Sequence, residues 1–532
     1  MTGPGPRIGI FGWGVVAPRS RNVDEFRENL RSNRTWMEPF DGFGPNNFLV
    51  GVPKFDFDQY RPWIEERFKP ARFSQLAKHS GNLVRYAVGA FIDSLSQNPG
   101  IEKTLRYLGQ QTHIYVGTGV GDLPTMYEVS IVYYKAQRHW NRFWGEPERC
   151  RLRSQYLAAT PAAREKLRAE HSIPAEPGSF EDEAERETAR EVWEVFWCAR
   201  SEGLREYLAA ARTIQAVPLG ADIETGKERL IKRKLTEMRK LNLKWGCPTE
   251  PWNAVHPNLI WNIHNSPAAQ ISMVGQIQGP AFAPVGACSS FGVALKLAQD
   301  AIRSGQAKAV VVGMTDPPPH PLLVGAFYRA NVLSADGEPS KPLAGLKGTH
   351  VAGGATIWLV CDADFMRSRG YKSVGLEIAG IGLSSDAHHI ITPTRHGPLL
   401  CMTKALADAG IGADQLDTWD LHATATPGDW LEVATVRELL PAGIPMTARK
   451  GTFGHGMSVG GAWELTAQHL GAEEGVLYPT ILSRGELNQA VAALHTDFVF
   501  DEPVPFTGTY LGKINMGVGG INACVISRRW EK

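Results

Sequence analysis

Two glycine-rich loops most limit how this chain can fold: GACSSFG at 286–292 and KGTFGHGMSVGGAWEL at 450–465. Each loop opens a helical pattern that leads to another strand. Each also lies in a region that begins with an Ile-Gly-rich strand, RIGIFGWG at 7–14 or GLEIAGIGL at 375–383. Continuously apolar runs such as Val310–Val312 indicate strands buried on both faces of a parallel-like sheet. The pattern predicts an α/β fold in which one structural plan occurs twice.

The middle of the chain, about 126–255, has a different character and is rich in Arg, Glu, Ala and Trp. The stretch 179–215 has an apolar stripe and predicts one long helix. A second predicted helix, 227–244, carries eight basic and two acidic residues. We therefore predict a helical insertion within an N-terminal half, 1–372, that is followed by a C-terminal half, 373–532.

The overall composition is that of an ordinary globular protein. Among 532 residues, 43% are hydrophobic and 21% are charged, and the formal net charge is +1. This balance predicts neither a nucleic-acid partner nor a membrane partner. No apolar run approaches the roughly 20 residues of a membrane span, and the glycine-broken N-terminus lacks the features of a signal peptide. We expect a cytoplasmic protein.

The cysteines predict no metal site and no disulfide framework. There are seven, they are scattered, and none forms a CxxC pair. The segment DAHHIITPTRH at 386–396 brings three histidines together, but no carboxylate or cysteine spacing completes a metal site there. We expect this segment to be a loop near a pocket.

Cys288 differs from the other cysteines because of its position. Gly286 and the small residues around it predict a tight turn, and the pattern after Ser289 predicts a helix. A cysteine at a helix N-terminus meets the positive end of the helix dipole, which favours thiolate over thiol. The free N–H groups there can also hold an oxyanion. The alternative is a small buried residue that only starts a helix.

Two histidines add to this pattern. His422 follows the strand pattern of DTWDLHA, and His455 lies on the second glycine-rich loop beside Lys450. A single histidine is usually a core residue, and Lys450 alone could be an exposed loop charge. One cysteine with two neutral imidazoles, however, suits acyl transfer, because the thiolate accepts an acyl group and Nε2–H groups stabilise an enolate or oxyanion.

Five blocks of the sequence resemble, in the same order, those of β-ketoacyl synthases of the thiolase superfamily, close to the elongating condensing enzymes. The blocks are RIGIFGWGVVAP, GPAFAPVGACSSFGVAL, DLHATATPGD, KGTFGHGMSVGGA and INMGVGGINACVIS. The resemblance implies a duplicated five-layer αβαβα fold, to which the helical insertion is added. It also implies a homodimer, or a heterodimer with a related subunit.

The resemblance implies a role for each of three residues. Cys288 would accept an acyl chain from a carrier-protein thioester. His422 and His455 would assist decarboxylation of a malonyl thioester and stabilise the enolate, which attacks the acylated cysteine. The partner would be an acyl carrier protein, and no cofactor is expected beyond the phosphopantetheine that the carrier brings.

Further residues take supporting roles by the same resemblance. Lys450 would orient the site, with Glu432 nearby. The phosphopantetheine arm would lie against Thr424 and Thr426, which could otherwise merely cap a strand end. The backbone N–H groups of Cys288 and Val518 would form an oxyanion hole, and Val518 and Gly519 would contact substrate.

Several positions depart from the family pattern. Met516 and Val518 stand where relatives carry aromatic residues, and a valine at the gate position predicts a roomier or ungated pocket. Gly353 replaces an acidic residue, and Leu346 and Lys347 replace an Arg-Asp pair. The first histidine block is one residue short before Asp429, which leaves the role of Glu432 open. Together these differences predict a specialised member, in secondary metabolism rather than routine chain elongation.

Two other functions remain open. The chain could be an acyltransferase of the same fold that joins an acyl group to an amine or alcohol without forming a carbon–carbon bond. It could also be a non-catalytic partner subunit like a chain-length factor, although such partners lack the cysteine. The basic helix at 227–244 could dock an acidic carrier protein or could simply be a solvated face.

Overall fold

The computed structural model describes residues 5–32, 34–218 and 223–531. The chain divides into two compact units. The first unit comprises residues 1–125 and 260–532, and the second comprises 126–259. The second unit thus covers nearly the range predicted for the insertion, whereas the division between two halves at residue 372 stays a prediction.

Fourteen strands are described, and most belong to the first unit's main sheet. In chain order they are β1 (Ile8–Val16), β2 (Glu38–Pro39), β3 (Leu49–Val50), β4 (Thr112–Gly117), β5 (Ala281–Phe282), β6 (Ala309–Asp316), β7 (Gly354–Asp362), β8 (Val374–Ser385), β9 (Thr418–Leu421), β10 (Met446–Ala448), β11 (Val476–Leu477), β12 (Val504–Pro505), β13 (Tyr510–Gly517) and β14 (Ile521–Arg528).

Twenty-two α-helices are described. They are α1 (Val23–Leu30), α2 (Arg61–Arg67), α3 (Ala71–His79), α4 (Asn82–Ser96), α5 (Ile101–Tyr107), α6 (Leu123–Gly145), α7 (Arg151–Ala158), α8 (Pro161–His171), α9 (Glu183–Arg200), α10 (Glu202–Gln215), α11 (Ile223–Trp245), α12 (Pro251–Ala254), α13 (Asn258–Trp261), α14 (Ser266–Gly275), α15 (Ser290–Arg303), α16 (Pro321–Arg329), α17 (Ala363–Ser368), α18 (His396–Ala409), α19 (Gly428–Arg437), α20 (Lys450–Phe453), α21 (Gly460–Glu474) and α22 (Gln489–Ala492).

The main sheet has ten strands, and its order repeats one pattern in mirror image. The order is β5-β4-β6-β7-β1 on one side and β8-β14-β13-β9-β10 on the other, with β1 and β8 antiparallel at the centre. On each side the two outer pairs are parallel and the two inner pairs are antiparallel. The repeated plan predicted from the two glycine-rich loops is therefore confirmed in the sheet topology.

Helices form three layers around the two halves of this sheet. Helices α4 and α14 pack on the outer face of one half, and α18 and α19 pack on the outer face of the other. Between the halves lie α15 and α21, whose buried side chains share one core with strands of both halves. These layers give the order αβαβα, and they place the N-termini of α15 and α21 in the middle of the unit.

Glycines in β1 allow the outer helix layer to approach closely. A Cβ atom on Gly12 would lie 1.9 Å from the carbonyl oxygen of Ser94, and one on Gly14 would lie 1.8 Å from that of Ala90. Both carbonyls belong to α4, so any side chain at these positions would push the helix off the sheet. The Ile-Gly alternation of RIGIFGWG is thus a packing requirement of the fold.

The second unit is helical, and its core is rich in tryptophan. Trp140, Trp144 and Tyr207 pack together where α6, α10 and α11 meet. The single helix predicted for 179–215 is wrong, because the chain breaks between α9 and α10 at Ser201. The Ser201 hydroxyl accepts a hydrogen bond from the Leu204 N–H at 3.1 Å, which caps the start of α10.

In the described ranges, no helix combines the length and apolar character needed to cross a membrane. The same part of the chain holds no group of three or more His, Cys, Asp or Glu side chains placed to bind a metal ion. His389, one of the clustered histidines, instead accepts hydrogen bonds at Nδ1 from the backbone N–H groups of Ile391 and Thr392.

Candidate active site

Cys288 lies in a tight turn at the N-terminus of α15. The preceding residue, Ala287, has a φ of 49°, in the left-handed region that L residues seldom adopt. Ser289 holds the turn against the β13–β14 hairpin, since its hydroxyl lies 2.9 Å from the carbonyl of Asn515 and 2.8 Å from that of Ile521. The turn thereby fixes the thiol at the junction of the two halves, where it is 5% exposed.

The thiol of Cys288 is not a ready thiolate, contrary to the expectation from its helix position. Burial raises its pKa to about 11, although a hydrogen bond from the backbone of Val518 and the charge of Lys450 act in the opposite direction. The increase in pKa from desolvation is larger than the decrease expected from the helix dipole, because the residue is nearly enclosed. The protonated thiol is the resting form at neutral pH.

His422 lies directly after β9 and is held in one tautomer. Its Nδ1 atom is 3.2 Å from the ammonium nitrogen of Lys450 and 3.3 Å from the amide nitrogen of Asn515. An ammonium group can only donate, so Nδ1 of His422 must accept. The ring proton is therefore assigned to Nε2.

A backbone N–H group holds His455 in the same tautomer as His422. The N–H of Met457 donates to its Nδ1 at 3.0 Å, which assigns the ring proton to Nε2 again. Its own N–H donates to the carbonyl of His350 at 2.7 Å, and its carbonyl accepts from Ala352 at 2.9 Å. This pairing ties the glycine-rich loop to the strand segment before β7.

Both histidines are neutral at physiological pH. Burial lowers the pKa of His455 to about 3 and that of His422 well below its usual value, and the charge of Lys450 lowers both further. The two rings lie 5.6 Å apart, centroid to centroid, at 84°. Two neutral imidazoles that each present an Nε2–H group can stabilise negative charge that forms between them.

A buried ionic cluster lies behind the histidines. Lys450 donates to Glu464, and Lys513 lies 2.9 Å from the other oxygen of Glu464. Arg449 donates to Asp420, so the cluster holds three cations and two anions. Burial acts to raise the pKa of Glu464, but the two lysines hold it below its usual range. The excess positive charge opposes protonation of the histidines.

Glu432 and Asp429 support the chain that follows His422. Glu432 accepts hydrogen bonds from the N–H groups of His422 and Ala423, the latter at 2.7 Å. Asp429 accepts from the N–H groups of Thr424, at 2.8 Å, and Ala425, at 3.1 Å. Burial raises the pKa of Glu432 to about 7 and that of Asp429 to about 6. Glu432 thus positions backbone, while Glu464 is the carboxylate that pairs with Lys450.

Asp316, at the end of β6, fixes the second glycine-rich loop. Its carboxylate accepts from the N–H of Ser458 at 2.9 Å and from the hydroxyl of Thr118 at 2.9 Å. It also accepts from the N–H of Gly119 at 2.9 Å. One buried carboxylate therefore joins the loop after β4 to the loop that carries His455.

A cavity of about 560 Å³ opens onto this site. Of the residues predicted from the sequence, those that line it are Cys288, His422, Thr424, Thr426, Glu432, His455 and Val518. The hydroxyls of Thr424 and Thr426 lie 2.9 Å apart. Lys450 lies behind the lining, and Gly519 turns its N–H away to the carbonyl of Ile390 at 2.7 Å.

The positions that depart from the family pattern lie in different parts of the structure. Met516 and Val518 line the cavity, and Val518 is 40% exposed. Gly353 leaves no room for a side chain, because a Cβ atom there would lie 2.2 Å from the carbonyl oxygen of Pro317. Lys347 forms a salt bridge of 2.8 Å with Asp336, outside this cavity.

Sequence reasoning missed Glu464, Asn515 and Asp316. Glu464 is the one acidic residue in the first two turns of α21, whose residues from 460 to 472 are all buried, and a lone carboxylate there was a usable signal. Asn515 and Asp316 lie at or near strand ends, and their partners are distant in the chain. Nothing in the local sequence marks those contacts.

Two family models match the chain. Residues 218–364 match the beta-ketoacyl synthase N-terminal domain, and residues 376–483 match the beta-ketoacyl synthase C-terminal domain. In these two segments the chain is similar to beta-ketoacyl synthases. Their order agrees with the five sequence blocks and with the positions of the cysteine and the two histidines.

Curated relatives agree with this similarity. The chain is 32% identical over 218 residues to nodulation protein E of Rhizobium meliloti, which covers 40% of this chain and 54% of that protein. It is 29% identical over 277 residues to 3-oxoacyl-[acyl-carrier-protein] synthase 2 of Rhizobium meliloti (strain 1021). That match covers 50% of this chain and 65% of that protein. The chain thus matches about half the length of the nodulation protein.

Solved structures share the fold. The ishigamide ketosynthase/chain length factor aligns with a TM-score of 0.68 at 18% identity, covering 99% of this chain and 100% of that chain. A beta-ketoacyl synthase from Burkholderia phymatum STM815 aligns with a TM-score of 0.66 at 19% identity, covering the same shares. The thiolase-like fold expected from the sequence is confirmed.

Proposed function

We propose that this ketosynthase-like chain is a decarboxylating condensing enzyme. One observation carries the proposal: two neutral histidines, each with Nδ1 occupied by a donor, line the same cavity as a cysteine at a helix N-terminus. Acyl transfer alone needs one base. Two Nε2–H donors suit a reaction in which an enolate forms beside an acylated thiol.

In the first step Cys288 takes the acyl group. Its sulfur attacks the carbonyl carbon of an acyl carrier thioester, and the carbon–sulfur bond to the phosphopantetheine breaks. The proton of the Cys288 thiol passes to the departing thiol, so no net charge accumulates. The backbone N–H groups of Cys288 and Val518 hold the oxygen of the tetrahedral intermediate.

In the second step a malonyl thioester loses its carboxylate as CO2. The electron pair of the broken carbon–carbon bond moves into an enolate, whose oxygen accepts from Nε2–H of His422 and His455. The enolate carbon then attacks the acyl-Cys288 carbonyl and forms a carbon–carbon bond. The Cys288 sulfur leaves as a thiolate and takes up a proton from solvent, and a β-ketoacyl carrier thioester is released.

The partner we propose is an acyl carrier protein, whose phosphopantetheine arm lies against Thr424 and Thr426. Their paired hydroxyls offer a donor and an acceptor at the wall of an otherwise mainly apolar cavity. We propose no further cofactor. One solved ketosynthase of this fold is bound to its acyl-carrier protein, which supports the choice of partner.

The substrate class we propose is a specialised acyl chain, in polyketide or other secondary metabolism more than in fatty acid elongation. Val518 and Met516 support this, since side chains smaller or more flexible than an aromatic ring leave the cavity wall open. We propose a homodimer, with a heterodimer as the second choice because two similar structures pair a ketosynthase with a chain length factor. The cytoplasmic location stays a prediction.

Incubation with an acyl carrier and a malonyl carrier tests this function. We expect a β-ketoacyl carrier and one equivalent of CO2, and we expect Cys288→Ala to abolish the product. Cys247→Ala, a change in the second unit, is the matched control and should keep activity. Acyl transfer to an amine or alcohol without CO2 release would favour the acyltransferase alternative instead.

A further inference from the structure

The helical second unit keeps its positive and negative charges on separate helices. Residues 181–194, at the start of α9, include seven acidic and two basic residues, whereas residues 227–244 of α11 include eight basic and two acidic residues. The net charge of +1 for the whole chain therefore hides one strongly positive helix. A local cluster of this kind attracts an anionic surface even when the overall charge is close to zero.

Helix α11 packs on the rest of the second unit along one side. Leu241 is buried in the tryptophan core, and Met238 and Trp245 are partly buried against that core. Seven of the eight basic residues between 227 and 244 are exposed. The opposite side of the helix is thus open to solvent over most of its length.

Four basic residues form a stripe along this open side. Their positions are Arg229, Arg233, Lys240 and Lys244. At about 100° per residue all four fall within an arc of about 60°, and they span about 22 Å along the helix. Arg233 and Lys244 form no salt bridge or hydrogen bond with any residue that the structure describes. Lys240 has a neighbour of opposite charge on its own helix, Glu237 at 2.8 Å.

Apolar side chains project from the same helix beside the basic stripe. Ile231, Leu235 and Leu243 are exposed by 47%, 57% and 81%. Leu243 lies about 70° around the helix from the centre of the stripe. Single exposed apolar residues are ordinary, but apolar side chains next to a row of lysines and arginines are typical of a helix that lies in a lipid interface.

We propose that α11 binds the surface of an anionic lipid bilayer. The basic stripe lies against the lipid phosphates, and Leu235 and Leu243 enter the boundary between headgroups and acyl chains. Each lysine or arginine close to an anionic surface adds to the attraction. The apolar side chains add a contribution that does not depend on salt.

A bilayer accounts for both features of this face, and other anionic partners account for one. Nucleic acid would pair with the stripe and leave Leu235 and Leu243 in water. The acidic carrier protein considered above for this helix explains the charges alone, and a folded protein would need apolar pockets at matching positions. A fluid lipid surface takes up charged and apolar side chains without a preformed shape.

Lipid binding is a function beyond the condensing reaction. No residue from 227 to 244 lines the cavity that contains Cys288. A chain that does not condense substrates can still bind vesicles, and a chain that does not bind vesicles can still be assayed for condensation. The two proposals therefore fail separately.

Co-sedimentation of the full chain with vesicles tests the charge contribution. The vesicles contain equal parts of phosphatidylcholine and phosphatidylglycerol. We expect the double variant Arg233→Glu, Lys244→Glu to lower the partition coefficient by about tenfold or more. The control is Lys166→Glu with Arg168→Glu, which makes the same change in net charge at exposed positions on α8 and should leave binding unchanged.

A second variant tests the apolar contribution. Leu243→Ser should weaken binding to the same vesicles by about threefold or more, whereas Leu157→Ser, 47% exposed on α7, should not. Equal binding to pure phosphatidylcholine vesicles would overturn the proposal, as would full binding by the α11 charge variant. A chain that ignores vesicles but binds carrier protein through Arg233 and Lys244 would assign the helix to an acidic protein instead.

Discussion

The ammonium nitrogen of Lys450 lies 3.2 Å from Nδ1 of His422, and the same nitrogen donates to Glu464. Lys450 is therefore a positioning residue that keeps the proton of His422 on Nε2. We expect Lys450→Met to lower malonyl decarboxylation by about 100-fold, because Nδ1 of His422 loses its charged donor and keeps only the longer contact to the Asn515 amide at 3.3 Å. Assays of CO2 release from malonyl carrier measure this directly.

Acyl loading separates this role from a structural one. Lys450→Met should still acquire an acyl adduct on Cys288, since loading does not use the His422 donor. Lys347→Met, at an exposed lysine outside the cavity, should leave both steps intact. Equal loss of loading and decarboxylation in Lys450→Met would contradict the assigned role.

The raised pKa of Cys288 predicts a steep pH dependence of its alkylation. Only the thiolate reacts, so the rate with iodoacetamide should rise by about tenfold per pH unit between pH 7 and 10. Burial is the cause, and it places the pKa at about 11. Peptide-resolved mass spectrometry distinguishes Cys288 from the other six cysteines. A plateau in the rate below pH 8 would show that the turn stabilises the thiolate after all.

The buried charge cluster predicts a large stability effect at Glu464. Glu464→Gln removes the partner of two lysines whose side chains are 1% and 0% exposed. We expect a loss of about 3–5 kcal/mol in unfolding free energy, measured by urea denaturation. Glu474→Gln, on the same helix in a partly exposed pair with Arg31, should cost no more than about 1 kcal/mol. Similar losses in both variants would mean that burial of the cluster is unimportant.

We predict that the size of the side chain at position 518 limits the length of the acyl group that the cavity accepts. Val518→Phe adds a ring to the cavity wall and should lower kcat/KM for a long acyl carrier by about tenfold or more relative to an acetyl carrier. Val504→Phe is a matched control, because Val504 is 37% exposed on β12. An unchanged ratio between long and short chains would show that Val518 does not limit the pocket.

Much of the fold could be predicted because its signals are local. The apolar strands, the two glycine-rich loops and the Ile-Gly alternation of β1 each follow from a short stretch of sequence. The long helix predicted at 179–215 failed for a local reason as well, since Ser201 caps a new helix within an otherwise continuous helical pattern. A serine that caps and a serine that is merely tolerated look alike in sequence.

The residues that line the candidate site could be predicted in part from the sequence, whereas their electrostatics could not. The chemistry expected of Cys288, His422 and His455 is indicated by their residue types and by the motifs beside them. The pKa of Cys288 depends on burial by the β13–β14 hairpin, which lies more than 200 residues further along the chain. Asp316 and Ser458 likewise lie 142 positions apart. Contacts over such separations have no local pattern.

The most direct measurement follows the mass of the Cys288 peptide and of the carrier through one turnover. The protein is loaded with an acyl carrier, freed from excess donor and then mixed with malonyl carrier. We predict an acyl adduct on Cys288 that disappears as a carrier extended by two carbons with a β-keto group appears. An adduct that persists, with no CO2 released and no extended carrier, would contradict a condensing function.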